Sequence, residues 1–341
     1  MNNIYNITRE ELEEFFINNN EKRFRAIQTF EWIYKKRIKS FEEIGNISKN
    51  TIEKLSNNFS FYTIKIIKIE KSKEVNKYLF ELEDGNNIES VLMFHDYGIS
   101  LCISTQVGCS MGCSFCESGR YGKTRNLYTY EMVQQILEIE KDIDKRITHV
   151  VLMGIGEPFD NYDNVMKFIR IINDPKGIEI GARHITLSTC GIIPKIKDFG
   201  NEGLQVNLAI SLHAPNDELR NKLMPINKVY PIKELIETIK EYINKTNRRV
   251  TFEYVMIKGI NDTKECALEL SKLIKGINCY VNLIPYNDNN YDGYESSSDC
   301  EIMSFYDILK CEEINVTIRK KFGDTITAAC GQLRSKNMEE L

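Results

Sequence analysis

Three cysteines, Cys109, Cys113 and Cys116, stand at CxxxCxxC spacing in the stretch Cys109-Ser110-Met111-Gly112-Cys113-Ser114-Phe115-Cys116. A loop with this spacing can fold three thiolates onto one inorganic centre. Structural zinc sites take four protein ligands, commonly as paired CxxC or Cys/His sets. Here no fourth ligand is at hand, and the next histidine downstream is His149. A 4Fe-4S cluster held by three thiolates keeps one iron open, whereas ferredoxins close every position with cysteine. The set therefore points to chemistry at the cluster rather than electron storage. A zinc knuckle or unrelated buried thiols are the alternatives.

Further polar groups end apolar runs. Gly154-Ile155-Gly156-Glu157-Pro158 follows the run Ile147–Met153, Ser188-Thr189 ends the next, and Ser211-Leu212-His213 the one after. Asn287 follows Tyr280–Ile284. Singly, each reads as a turn residue, and His213 as a hydrogen-bonded structural histidine. Ligands bind at the C-terminal ends of strands in α/β sheets and barrels, so jointly these groups favour a nucleoside site. Cys330 has small neighbours in Ala328-Ala329-Cys330-Gly331-Gln332-Leu333, and reads equally well as a buried or an accessible thiol. Should Cys102 approach another thiol, the two form a redox or nucleophile pair. Glu89 reads as a solvent-facing strand residue. His95, His149 and His184 show no partners, and the remaining cysteines (190, 266, 279, 300 and 311) read as core or bystander thiols.

The positioning elements are legible as periodicities. Residues 8–58 read as helices, with Thr8 and Glu11 as a capping box and Ala26, Ile27, Phe30, Ile33 and Tyr34 at helical spacing. The aromatic residues here, the single Trp32 included, read as core. Tyr62-Ile64-Ile66 and Tyr78-Phe80-Leu82 alternate as strands do, and Asp84-Gly85 marks a turn before Ile88–Phe94. A strand at Ile99–Ser104 precedes the cysteine loop. Apolar runs at 147–153, 184–189, 206–212, 250–257 and 280–284 then alternate with helical patterns at 130–143, 232–243, 264–274 and 301–309, before a final strand at 315–319. Repeated βα units predict a parallel sheet with helices outside. Six strands suffice for a partial barrel.

The totals narrow the class. The chain has 341 residues, 42% hydrophobic and 28% charged, which supports a sizeable core. No apolar run is long enough for a membrane span, and nothing at the N-terminus resembles a signal peptide, so the expected location is cytoplasmic. Ten cysteines in a chain of this length are read as metal or redox groups rather than a disulfide scaffold. A net charge of −4 gives no global reason to expect nucleic acid. The basic clusters at 35–37, 65–73, 248–249 and 319–321 are read first as solvated faces, able to hold RNA phosphates only if they converge.

Together the motifs resemble the RlmN family of radical S-adenosylmethionine (SAM) RNA methyltransferases. The matching runs are 102–109, 153–161, 181–186, 211–216, 223–227 and 328–333. The resemblance implies a partial (β/α)6 barrel at 95–324, an N-terminal helical accessory domain at 1–60, a β-hairpin connection at 61–94 and a C-terminal segment at 325–341. It implies a 4Fe-4S cluster on Cys109, Cys113 and Cys116, with SAM contacts at Gly156, Glu157, Ser188, Ser211, Leu212, His213 and Asn287. Two SAM molecules serve each turnover: one methylates the cysteine corresponding to Cys330, and the other is cleaved reductively. The methyl group passes to carbon 2 of an adenine, with Glu89 as proton acceptor and Cys102 aiding release and able to end in a disulfide with Cys330. The implied partners are 23S ribosomal RNA, transfer RNA and an electron donor such as flavodoxin or ferredoxin; the chain is expected to be a monomer. Two departures lie near the site: Glu117-Ser118-Gly119-Arg120 follows the cysteine loop where Ala-Ser-Thr is usual, and Cys190 replaces Ser. The competing readings are a Cfr-like enzyme acting at carbon 8 and a non-catalytic, metal-containing RNA-binding protein.

Overall fold

The computed structural model describes residues 2–287, 293–319 and 332–333. Its N-terminal unit begins with the capping box read from the sequence. Thr8 accepts from the Glu11 N–H, and Glu11 Oε2 accepts from the Thr8 N–H at 2.8 Å, starting helix α1 (Arg9–Asn18). Helices α2 (Arg23–Tyr34) and α3 (Lys49–Asn58) follow. Two short strands, β1 (Asn2–Asn3) and β2 (Phe59–Ser60), pair in parallel and bring the ends of this unit together. Phe16, Phe30, Tyr34 and Leu55 are buried between the helices. Trp32 departs from expectation: it packs on the rim of the core, with the Lys36 ammonium 3.2 Å from its ring centre.

The chain then enters one ten-stranded sheet. Strands β3 (Lys65–Lys71), β4 (Val75–Glu81) and β5 (Asn87–His95) are antiparallel and join β6 (Gly98–Cys102). The first strand starts later than its alternation predicted: Tyr62 and Ile64 precede it, and the Tyr62 carbonyl accepts from Asn3 Nδ2 instead. From β6 the sheet is parallel through β9 (His149–Leu152), β10 (Ile185–Thr189), β11 (Asn207–Ser211), β12 (Val250–Met256), β13 (Cys279–Pro285) and β14 (Val316–Ile318). Between β6 and β9 the chain forms a separate two-stranded ribbon, β7 (Gln106–Gly108) with β8 (Lys123–Asn126), and the cysteine loop spans the gap.

Helices α4 (Thr129–Ile143), α5 (Tyr162–Asn173), α6 (Ile193–Phe199), α7 (Asp217–Leu223), α8 (Ile232–Thr246), α9 (Lys264–Ile274) and α10 (Asp299–Cys311) alternate with the parallel strands. Each of the longer helices has an apolar stripe that covers the sheet, such as Val165, Phe168, Ile169 and Ile172 on α5. The sheet curls. Arg319, just past β14, brings Nη1 to 3.9 Å from the sulfur of Met153, just past β9. Five strand spacings of about 4.8 Å would separate these ends in a flat sheet. The curl turns alternate residues of each strand inward, and the strand ends face one mouth.

Candidate active site

The cysteine loop is held at its base by Gln106. This fully buried side chain donates to Asn126 Oδ1 at 2.7 Å and Asp160 Oδ2 at 2.9 Å, and accepts from the Glu157 N–H at 2.9 Å. It thus ties β7, β8 and the turn after β9 into one frame. Burial works against the Asp160 carboxylate, but hydrogen bonds from Lys123 and Gln106 outweigh it and hold its pKa below the usual carboxylate range. Glycine is required at two points of this turn. A Cβ on Gly154 would sit 2.5 Å from the Ile103 carbonyl oxygen, and one on Gly156 would sit 2.6 Å from Gln106 Cβ. Gly156 also has φ +107°, a conformation that L side chains rarely adopt.

One pocket joins the parts. Cys109, Cys113 and Cys116 line it together with Gly156, Glu157, Ser188, Ser211, His213 and Asn287. Nine of the ten residues that the resemblance assigns to the cluster and to SAM therefore share one cavity. Leu212 does not line it; its side chain is fully buried in the main core. Burial pushes the Cys109 thiol up to about 12 and Cys113 well above its ordinary value, and each rises further through the neighbouring thiols. Burial and the Cys116 thiol beside them hinder the ionisation of Cys109 and Cys113, and a bound cationic cluster favours the thiolate form of such donors. Among the described residues no three His, Cys, Asp or Glu side chains are gathered to chelate a single ion. A four-iron cluster takes one thiolate per iron corner, so it does not need that single-ion geometry.

Glu157 is buried, with Oε1 accepting from the Phe159 N–H at 3.0 Å and Oε2 from the Cys190 N–H at 2.7 Å. Burial nonetheless raises its pKa. His213 sits at φ +58°. Its Nδ1 accepts from the Val255 N–H at 3.0 Å, which fixes the ring proton on Nε2, and its ring edge meets Phe115. Burial pulls its pKa down to about 3, so it is a neutral structural histidine. Arg220 braces this wall from behind. Fully buried, it donates to the Cys190, Ser211 and Leu212 carbonyls and to Asn227 Oδ1.

Glu89 and Cys102 lie on the adjoining strands β5 and β6, outside this lining. Glu89 corrects the solvent-facing expectation: it is 8% exposed and forms an ion pair at 3.3 Å with Lys77 on β4. Its carbonyl accepts from Ser104 Oγ at 2.6 Å, next to the start of the cysteine loop. Cys102 is buried in a cluster with Val75, Val91, Met93, Ile155 and Leu333. Cys330 lies outside the described residues, and no disulfide joins two described cysteines. Leu333, three residues further on, accepts from Ser118 Oγ through its carbonyl at 2.9 Å.

Both departures prove to be packed features. Glu117 is 1% exposed and lies 3.6 Å from Arg120, while Cys190 lines the pocket with its thiol buried. Cys266 and Cys279 are buried, whereas Cys300 and Cys311 are exposed on α10. The three histidines that showed no partners do have them: His149 stacks on His184, and Tyr97 bridges His95 and His149. The basic clusters at 35–37 and 65–73 carry ion pairs, as with Arg37 on Glu140, Lys68 on Glu70 and Lys71 near Asp142, whereas Arg248 donates to Asn207 Oδ1 and Arg249 lies over the Tyr280 ring. Glu253, which escaped the sequence reading, also lines the pocket, as does Arg319, which was read only as part of a basic cluster. A lone acidic residue in the apolar run of β12, in phase with Val255, was the available signal for Glu253.

Comparison with known proteins agrees with this geometry. The family model described as "Radical SAM superfamily" matches residues 103–270, and "Ribosomal RNA large subunit methyltransferase N-terminal domain" matches residues 2–60. The chain is 52% identical over 341 residues to "Probable dual-specificity RNA methyltransferase RlmN" of Spiroplasma citri, covering 99% of this chain and 98% of that protein. It is 53% identical over 346 residues to the protein of the same name from Enterococcus faecalis, covering 99% and 97%. A radical SAM methyltransferase from Sphaerobacter thermophilus superposes with a TM-score of 0.92 at 40% identity, covering 98% of this chain and all of that one. With both family models matched in order and such identity along almost its whole length, the chain belongs to the RlmN family of radical SAM proteins.

Proposed function

We propose that this protein methylates carbon 2 of an adenine in 23S ribosomal RNA and in transfer RNA, using a 4Fe-4S cluster and two SAM molecules per turnover. The observation that carries the reading is the shared pocket of the three loop thiols and the polar strand ends. Bound together, the cluster and SAM supply a methyl group and a radical able to abstract hydrogen, which a carbon as poorly nucleophilic as adenine C2 demands. Cys109, Cys113 and Cys116 would hold the cluster, and the amino acid end of SAM would sit next to it. Gly156 and Glu157 form the wall beside that end, and Glu157 is kept in place by its two backbone hydrogen bonds. Ser188, Ser211, His213 and Asn287 continue the wall along the nucleoside.

Cys330 carries the methyl group before transfer. Leu333 packs in the same cluster as Cys102, and three extended residues reach about 10 Å. This supports a partnership of Cys330 with Cys102, which releases the product and ends as a disulfide. Glu89 takes the proton from the modified base, with its carboxylate held in place by the ion pair with Lys77. The base must be unstacked to enter the mouth. A small electron carrier such as flavodoxin or ferredoxin supplies the reducing electron. The protein acts as a monomer in the cytoplasm; among the described residues no helix is long and apolar enough to cross a membrane.

The test is mass spectrometry of RNA from a host lacking its own enzyme and complemented with this chain. 2-Methyladenosine in both RNA fractions is expected. It should disappear with Cys330→Ala while the iron content stays. 8-Methyladenosine would assign the chain to carbon 8, and normal product from Cys330→Ala would refute the methyl-cysteine route.

A further inference from the structure

Two buried carboxylates line the pocket, and they differ in what they have left to offer. Both Glu157 oxygens already accept backbone N–H groups. Glu253 is 4% exposed, and its Oε1 accepts from Asn282 Nδ2 at 3.1 Å, itself fixed by Thr317 Oγ1 on Asn282 Oδ1 at 2.6 Å. Its Oε2 is buried with no hydrogen-bond partner. A buried acceptor left unmatched inside a cavity calls for an explanation. The positive charge of Arg319, on the same pocket wall, favours the ionised form against the burial that raises the Glu253 pKa.

Register and pocket lining show which side chains share this wall with Glu253. Ser188 Oγ and Ser211 Oγ lie 3.5 Å apart on β10 and β11, and Glu253 is the register partner of Ser211 on β12. Hydroxyl, hydroxyl and carboxylate thus form one row across three inward-facing strands. The amino acid end of SAM belongs at the cysteine loop, so the ribose is the next part of the molecule to meet this row. A ribose hydroxyl is a donor and a carboxylate oxygen an acceptor. We propose that Glu253 Oε2 accepts a hydrogen bond from a ribose hydroxyl of SAM, making Glu253 a cofactor-binding residue that selects ribose over deoxyribose in the nucleoside. The proposal rests on the SAM-binding role given to this pocket above.

The test is equilibrium binding of SAM, 2′-deoxy-SAM and 3′-deoxy-SAM to anaerobically prepared, cluster-loaded protein and to its Glu253→Met and Glu253→Gln variants. A hydrogen bond to a charged group corresponds to about tenfold to a hundredfold in affinity. For the parent, deleting one of the two hydroxyls should cost that factor. Glu253→Met should bind SAM about as weakly as the parent binds that analogue, and the same deletion should then cost the variant nothing. In Glu253→Gln, which keeps the side-chain shape and the Asn282 contact, the deletion should cost at most a fewfold. Equal hydroxyl costs in the parent and in whichever variant folds would overturn the role of Glu253 while leaving the pocket as a SAM site. A cluster-loaded parent that binds no SAM would overturn the pocket reading itself. Loss of packing alone would weaken all three ligands equally and would not produce a hydroxyl-specific coupling.

Discussion

Arg220→Ala is the substitution by which the structure can be tested most directly without loading any cofactor. Arg220 is fully buried on α7 and donates to the carbonyls of Cys190 at 2.6 Å, Leu212 at 3.2 Å and Ser211 at 3.2 Å, and to Asn227 Oδ1 at 3.0 Å. The three carbonyls belong to the chain leaving β10 and β11, which carries the polar groups of the pocket. Each bond to a charged donor is worth about 1.5–3 kcal/mol. Four bonds from one guanidinium do not add independently, and water entering the vacated space recovers part of the loss. The net cost is therefore about 3–5 kcal/mol, the range found when one partner of a buried charged network is removed. At about 2 °C per kcal/mol for a large domain, the thermal midpoint should fall by roughly 6–10 °C, read by circular dichroism on the anaerobically purified chain. Arg220→Lys should fall between parent and alanine, because an ammonium cannot serve as a planar fork. A midpoint for Arg220→Ala within about 2 °C of the parent would refute the claim that this side chain holds the strand ends.

Two further outcomes follow from the same geometry. Gly156→Ala must place a Cβ 2.6 Å from Gln106 Cβ at φ +107°; strain and overpacking together should cost about 2–4 kcal/mol, and a parent-like melting curve would contradict the close approach. His213 has its folded pKa depressed to about 3, so only the unfolded chain takes up this proton as pH falls below the ordinary histidine value of about 6.5. Its contribution is therefore complete above about pH 6.5 and is lost progressively towards pH 3, amounting to about 2 kcal/mol by pH 5. His213→Asn should flatten that part of the stability–pH curve, and identical slopes for parent and variant between pH 5 and 7 would show that His213 is not held neutral.

What the sequence revealed divides along physical lines. Signals that live within one element were readable. Thr8 and Glu11 marked the start of α1, the helical pattern at 264–274 coincides with α9, and the apolar runs located β9 to β13 to within a few residues. Helices α6 and α7 are seven residues each, two turns, too short for an apolar stripe to repeat. The burial of Glu89 was unreadable because it depends on Lys77 from a different strand, and alternation alone cannot tell a solvated face from a covered one. The three stacked histidines come from separate parts of the chain and meet only through the fold.

The pocket shows the same division at the level of chemistry. Cysteine spacing and glycine at a strand end are local demands, the one of a metal centre and the other of close backbone approach, so both leave a motif. Gln106, Arg220 and Glu253 meet no local demand. Gln106 links two ribbon strands to the turn after β9, Arg220 gathers carbonyls from β10 and β11, and Glu253 is held by Asn282 on β13. Each is a polar side chain whose position is set by groups on other elements, so its role leaves no motif in the sequence; only Glu253, a lone acidic residue in an apolar run, stands out at all. Burial distinguishes them. A polar group removed from water must be matched or functional. Gln106 and Arg220 are matched within the protein, and Glu253 is matched at one oxygen only. Its unmatched oxygen is therefore where this pocket retains capacity for a ligand beyond the contacts that motif reading supplies.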